Sequence, residues 1–148
     1  MRSTASIIPA LLLVATLAHA GPRAPAGDGM TPRSQELLER LVGINSGTQN
    51  VKGLEEVRRV LIPEFEKLGF VTTTTDLGNG RKLLSFQTPD AKPELLLVGH
   101  LDTVFEPTSP FQGLRRQGDR LIGPGVIDMK GGVVLMLVVL ASVRGTEG

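Results

Sequence analysis

The chain has 148 residues, a formal net charge of +1 and 21% charged residues. This length accommodates one ordinary domain plus a targeting segment, and the balanced charge does not indicate nucleic acid or an anionic membrane surface as a partner. Cysteine is absent, which excludes disulfides, thiolate zinc sites and cysteine nucleophiles. Any metal must therefore be held by histidine and carboxylate side chains, and the chain has two histidines. His19 lies in an N-terminal segment that we expect to be removed, which leaves His100.

The N-terminus has the pattern of a secretory signal peptide over residues 1–20. Arg2 supplies the positive start, residues 7–17 form the apolar centre, and the segment ends in the small-x-small form AHA. The apolar centre is too short for a permanent membrane anchor. We expect cleavage near Ala20, a secreted or periplasmic product, and a flexible lead-in over residues 21–30. The alternatives are an uncleaved anchor or a wrongly assigned start.

Two helices are predicted in the first half of the mature chain. A Thr-Pro pair at residues 31–32 suits an N-cap followed by the first helical position. Leucines then recur at helical spacing up to the break at residues 45–47. A second helix is predicted over about residues 54–68, with a kink or boundary caused by Pro63 and an end at Gly69.

Three strand-forming regions follow. The β-branched residues 71–75 and the segment 82–87 flank a Gly-Asn-Gly turn, which predicts a hairpin. The apolar run LLLV at residues 95–98 predicts a buried strand. Residues 105–112 predict a loop, and residues 114–122 resemble a second small hairpin.

The last predicted helix covers residues 130–144, and its centre carries no charge. It is too short for a membrane span and long enough for a core helix. The order helix, helix, strands, helix predicts an α/β domain with a layered sheet and flanking helices over residues 31–148.

His100 and Asp102 are the first candidate site residues. If the backbone is extended here, their side chains lie on the same face. A histidine that ligates a metal usually donates its second ring N–H to an acceptor, so Asp102 suits the role of orienting His100 toward zinc. On this short motif alone, a metal-free histidine bonded to a nearby aspartate is favoured by about two to one.

Asp128 is the third candidate, within the glycine-rich segment GPGVIDMKGG at residues 123–132. Such a density of glycine indicates a backbone in close contact or in unusual dihedral angles. A carboxylate at this helix entrance can bridge two cations, as in two-metal hydrolases. The alternative is a simple N-cap role for Asp128. Lys130 is expected to be solvated in the first helical turn; a role near a substrate is the weaker alternative.

The two segments LLLVGHLDTV (residues 95–104) and GPGVIDMKGG (residues 123–132) together resemble the paired signature of the zinc-dependent glutamate carboxypeptidase, acetylornithine deacetylase and aminoacylase family. The 28 positions between His100 and Asp128 suit that family. The segment VGINSGT at residues 42–48 is similar to the N-terminal region of its secreted carboxypeptidase G branch.

The resemblance implies a role for each candidate. His100 would ligate one zinc, Asp128 would bridge two zincs, and Asp102 would be the catalytic-site aspartate that supports His100. Water activated by zinc would cleave an amide bond of a peptide or N-acyl amino acid, releasing a C-terminal amino acid such as glutamate. The peptide bond between Asp128 and Met129 is often cis in this family.

The sequence also departs from the family. The family's general base, a glutamate in a Glu-Glu pair after this helix, has no counterpart here, because the pair at residues 55–56 lies upstream. A further carboxylate ligand, a distant histidine and a lid domain that allows homodimers are also missing. We therefore expect the N-terminal portion of an exported enzyme, inactive by itself. The alternatives are a non-catalytic domain that keeps the fold, or a family deacetylase or dipeptidase.

Overall fold

A computed structural model describes residues 30–89 and 95–144. The predicted signal peptide lies outside the described residues, as does nearly all of the lead-in. The elements, in chain order, are α1 (Pro32–Gly43), α2 (Val51–Lys67), β1 (Val71–Gly78), β2 (Arg81–Gln87), β3 (Arg115–Gln117), β4 (Arg120–Ile122) and α3 (Lys130–Arg144).

Helix α1 begins as predicted. Thr31 is its N-cap, and the Thr31 side chain accepts a hydrogen bond from the backbone N–H of Ser34 at 3.2 Å. Pro32 takes the first helical position, where its missing N–H costs nothing. The capped start aims Leu38 and Leu41 into the core, where both are buried.

Helix α2 begins three residues earlier than predicted, because Asn50 caps it and accepts a hydrogen bond from the N–H of Gly53. Of the two alternatives expected from Pro63, a kink or a boundary near Leu61, the boundary is wrong, since the helix continues to Lys67. Leu61 and Phe65, on either side of the proline, are both buried. Burial of both side chains offsets the hydrogen bond that proline removes.

The end of α2 at Gly69 is confirmed. Gly69 has a positive φ of 77°, and its N–H donates to the carbonyl of Glu66. The next N–H, of Phe70, donates to the carbonyl of Phe65. This pair of bonds is the Schellman arrangement, which satisfies the last helical carbonyls and favours glycine.

Both predicted hairpins are present. β1 pairs antiparallel with β2, from Val71 opposite Gln87 to Gly78 opposite Arg81, across a turn in which Asn79 and Gly80 have positive φ. β3 pairs antiparallel with β4. Each hairpin is a separate two-stranded sheet.

The buried strand predicted at residues 95–98 is wrong. These residues have no strand assignment, and Leu96 is 82% exposed. A buried strand requires partners on its edges and cover on its faces, and neither hairpin pairs with this segment. Within the described residues, the fold is a mixture of helices and small sheets, as in part of an α/β domain, and the predicted layered sheet is not present.

The core lies between the three helices and is covered by the first hairpin. Its fully or nearly fully buried members are Leu38, Leu41, Val42, Val57, Val60, Leu61, Phe65, Val133, Val134 and Leu137. Phe86 of β2 stacks on Phe65 of α2 with ring centroids 3.9 Å apart, which attaches the hairpin to the helices. In the part of the chain that is described, no helix has the length and apolarity needed to cross a membrane.

Candidate metal centre

The structure brings the three predicted site residues together. Nε2 of His100 lies 3.0 Å from Oδ1 of Asp128, and Nδ1 of His100 lies 3.1 Å from Oδ1 of Asp102. The imidazole is therefore held between two carboxylates that are 26 positions apart in the sequence (128 − 102). These contacts form although residues 95–98 are not a strand.

His100 and Asp102 are placed by the segment that follows α1. Thr103 forms an isolated parallel bridge with Gly47, in which the N–H of Thr103 donates to the carbonyl of Ser46 at 2.8 Å. The Ser46 hydroxyl donates to the carbonyl of Leu101, also at 2.8 Å. Residues on both sides of Asp102 are thus bonded to one short segment, which fixes the path of the backbone at the site.

Asp128 is placed by the glycine-rich turn before α3. A Cβ added at Gly131 would lie 2.0 Å from the carbonyl oxygen of Val126, and one at Gly123 would lie 2.6 Å from Val42 Cγ1. Gly125 has a positive φ of 80°. The close backbone approach predicted from the glycines is therefore present. The peptide bond between Asp128 and Met129 is cis, as the family resemblance implies.

Lys130 is not the solvated residue that the sequence predicted. It is 1% exposed, and its Nζ donates to the carbonyls of Leu41 at 2.8 Å and Ile44 at 2.7 Å. Those carbonyls belong to the end of α1, where a cation is favoured by the helix dipole. Burial lowers the pKa of Lys130 to about 8. The lysine thereby ties the beginning of α3, two residues after Asp128, to α1.

The hydrogen bonds of His100 determine its tautomer. Nδ1 lies 3.0 Å from the carbonyl oxygen of Asp102 as well as 3.1 Å from its carboxylate, and both are acceptors. Two acceptors face Nδ1, so Nδ1 is the nitrogen that keeps the proton when the ring is neutral, and Nε2 is then left for a metal ion. When the ring is protonated, Nε2 donates to the Asp128 carboxylate. Burial opposes protonation of the ring, but the hydrogen bonds to Asp128 and Asp102 raise the pKa of His100 above its usual value.

Asp102 has a separate partner on its other oxygen. The hydroxyl of Thr48 donates to Oδ2 of Asp102 at 2.6 Å, and this bond is the main reason that the pKa of Asp102 is lowered. Neither Thr48 nor Ser46 is among the site residues predicted from the sequence. The available clue was a pair of hydroxyl residues in a short polar segment directly after α1.

The donor atoms fit one zinc ion in part. Two atoms that ligate the same tetrahedral zinc, at bond lengths of ~2.0–2.2 Å, lie about 3.3–3.6 Å apart. The 3.0 Å between His100 Nε2 and Asp128 Oδ1 is a hydrogen-bond distance, a few tenths of an ångström shorter than that separation. No cluster of three or more potential ligand side chains occurs within residues 30–89 and 95–144. The described chain therefore brings together two side chains of the kinds that zinc binds, with Asp102 behind the histidine.

A cavity of about 400 Å³ adjoins this centre. His100, Asp102 and Asp128 lie along its lining, and much of the remaining wall is apolar, including Phe105 and Phe111. Small-molecule sites are commonly of this kind, largely apolar with a few convergent polar groups. The centre is therefore accessible to a ligand from the cavity.

Comparison with known proteins identifies the family. The model of Peptidase family M20/M25/M40 matches residues 96–147, which include His100, Asp102 and Asp128. Carboxypeptidase G2 of Pseudomonas sp. (strain RS-16) is 33% identical over 113 residues, a match that covers 72% of this chain and 26% of that protein. The chain thus spans about a quarter of the length of this relative. The predicted resemblance is confirmed, and the chain belongs to peptidase family M20/M25/M40 through residues 96–147.

Proposed function

We propose that this chain carries part of the active site of an exported, zinc-dependent amidohydrolase. The substrate is a peptide or N-acyl amino acid, from which a C-terminal amino acid such as glutamate is released. The observation that carries the proposal is the placement of His100 between Asp102 and Asp128, with Nε2 3.0 Å from the Asp128 carboxylate. The family match and the name of the relative, a carboxypeptidase, support the reaction class.

His100 and Asp128 are the residues that would hold zinc. A carboxylate has two oxygens, so Asp128, which is 86% exposed, can contact a second ion as well. Bound zinc supplies a Lewis acid that polarises a carbonyl and lowers the pKa of water toward about 7. Asp102 keeps the proton on Nδ1, which leaves the Nε2 lone pair for the metal.

The cavity beside the centre gives the substrate a place to bind. Its apolar wall, which includes Phe105 and Phe111, excludes water from one side of the reacting bond. The lining also includes His100 and Asp128, the residues that would hold the metal. A substrate bound here presents its amide to the centre while an apolar portion lies along the phenylalanines.

We further propose that the 148 residues alone bind zinc weakly and do not turn over substrate. A structural zinc site has about four ligands and a catalytic site about three protein ligands. Two donors are present among the described residues, and the family's general base has no counterpart in this sequence. The same observation favours the second candidate function, a non-catalytic domain that keeps the fold.

The test compares the 148-residue chain with the product of coding DNA read in frame beyond residue 148. Zinc content and cleavage of C-terminal glutamate amides are measured for both. We expect about two zincs and cleavage for the longer product only. Asp128→Asn should remove both properties, whereas the control Asp119→Asn, in the turn between β3 and β4, should retain them. A longer product that binds no zinc would rule out the enzyme and leave the non-catalytic domain.

A further inference from the structure

Thr48 lies outside both family motifs, yet its side chain reaches the candidate centre. Its hydroxyl oxygen is 2.6 Å from Oδ2 of Asp102 and 3.3 Å from the carbonyl oxygen of Thr103. A hydroxyl has one proton to donate, and an ionised carboxylate at the shorter distance is the stronger acceptor. The bond to Asp102 is therefore the one that Thr48 makes.

This bond restrains the rotation of the Asp102 carboxylate. One oxygen, Oδ2, accepts from Thr48, and the other, Oδ1, faces Nδ1 of His100 at 3.1 Å. A carboxylate held at both oxygens has its plane fixed. The plane in turn sets the direction in which the imidazole lies, and hence where Nε2 points.

The backbone around Thr48 is itself well anchored. Its N–H donates to the carbonyl of Thr103 at 3.1 Å, next to the bridge between Gly47 and Thr103. Ser46 and Thr103 are buried. The hydroxyl is therefore presented from a fixed position, rather than from a loop that must be ordered when a ligand binds.

We propose that Thr48 is a positioning residue, which orients Asp102 and, through it, the Nε2 atom of His100 toward a bound metal ion. The proposal rests on the proposed function in one respect, namely that zinc is the ligand. Its structural part, the orientation of the imidazole, stands independently of the metal.

Two substitutions separate positioning from simple packing. Thr48→Val keeps the shape and the backbone hydrogen bond but removes the hydroxyl. Thr48→Ser keeps the hydroxyl and removes the methyl group. If Thr48 acts only by packing, both variants should differ from the wild type in zinc affinity and in the tautomer of His100. If Thr48 is a positioning residue, only the valine variant should differ.

The first measurement is the zinc affinity of the full 148-residue chain, by competition with a chelator. Removal of a partner behind a metal ligand typically weakens binding by about 10–100-fold. We expect about a tenfold loss for Thr48→Val and an affinity close to wild type for Thr48→Ser. Circular dichroism checks that both variants are folded, and Thr48→Ala replaces the valine variant if it is not.

The second measurement needs no metal. NMR of isotope-labelled histidine, at one alkaline pH where the imidazole is neutral, reports the tautomer of His100 from its ring nitrogens. Only His19 gives a second signal, and His100→Gln assigns the two. We expect the tautomer protonated at Nδ1 in the wild type and in Thr48→Ser, and a mixture of tautomers in Thr48→Val.

The outcomes distinguish the two proposals. An unchanged tautomer and zinc affinity in Thr48→Val would overturn the positioning role, as would equal losses in the valine and serine variants. If neither the wild-type 148-residue chain nor the longer product binds zinc and only Thr48→Val changes the tautomer, the zinc function fails while the positioning of His100 by Thr48 is supported.

Discussion

The two sides of the candidate centre are built in different ways. The His100 side, residues 100–103, is held by backbone and side-chain hydrogen bonds with residues 46–48, donated in both directions. The Asp128 side, residues 123–131, depends on glycines in close backbone contact and on the anchored Lys130. On the His100 side, several hydrogen bonds together hold the backbone in place. On the Asp128 side, the backbone position depends on a few residues, and no other contact replaces the one that each of them makes.

This difference sets the expected sensitivity of each side to mutation. A substitution on the His100 side removes one hydrogen bond out of several. The net contribution of each bond to the free energy of unfolding is about 1 kcal/mol. A backbone contact that leaves no space for a Cβ must move as a whole when a side chain is added. The Asp128 side should therefore show larger effects than the His100 side.

The largest effect is expected for Gly131→Ala. The new Cβ would lie 2.0 Å from the carbonyl oxygen of Val126, so the turn must shift away from α3. Overpacking costs up to about 3 kcal/mol, and we expect a loss of that size in the free energy of unfolding. Urea denaturation, followed by circular dichroism, measures it.

Gly43→Ala is the matched control, because nothing lies within 4 Å of a Cβ at the end of α1. Alanine is the better helix former by up to about 1 kcal/mol, so this variant should be unchanged or stabilised. If both alanine variants were stabilised alike, the close backbone contact at Gly131 would not restrain the Asp128 side.

The next effect is a pH dependence caused by Lys130. In the folded chain its pKa is lowered to about 8, whereas the ordinary lysine pKa is 10.5. Between these values the unfolded chain binds more protons, so stability rises with pH, by at most about 1.4 kcal/mol per pH unit. The chain has no tyrosine or cysteine to titrate in this window. Unfolding free energies measured from pH 7 to pH 10 should show the rise.

Lys130→Met tests the assignment, because methionine fills a similar volume without a titrating group. The rise with pH should disappear in this variant, whatever its stability at pH 7. Lys67→Met, which replaces a half-exposed lysine paired with Glu64, should keep the rise. If the free energy of unfolding rose equally with pH in both variants, the burial of Lys130 would not be the cause of the rise.

Local features of the fold were predictable from the sequence. Thr31 and Gly69 delimit helices through their own backbone and side-chain chemistry, and the Gly-Asn-Gly turn specifies the first hairpin. The association of His100 with Asp128 followed from two motifs and a family resemblance. These predictions succeed because the determining interactions are close in sequence or carried by a known signature.

Other features depend on contacts that are distant in sequence. Thr48 meets Asp102 across 54 positions, and Lys130 meets Leu41 across 89 positions. A lysine is ordinarily exposed, so nothing in its own neighbourhood predicts burial. Residues 95–98 were predicted to be buried and are exposed. An apolar run is buried only where other elements of the fold cover it.

The smallest effect is expected on the His100 side, for Ser46→Ala. The Ser46 hydroxyl is buried and donates to the carbonyl of Leu101, so its removal should cost about 1 kcal/mol. The loss stays modest because two backbone bonds of the same network remain, from Thr103 to Ser46 and from Thr48 to Thr103. Urea denaturation again provides the measurement.

Ser142→Ala is the control, since its hydroxyl is exposed and bonds a carbonyl within its own helix, that of Val139. Serine in such a position gains little over alanine, so this variant should be within about 0.5 kcal/mol of the wild type. A loss of about 3 kcal/mol for Ser46→Ala, as large as that of Gly131→Ala, would reverse the comparison. The His100 side would then depend on a single buried hydroxyl, since the remaining backbone bonds could not hold it.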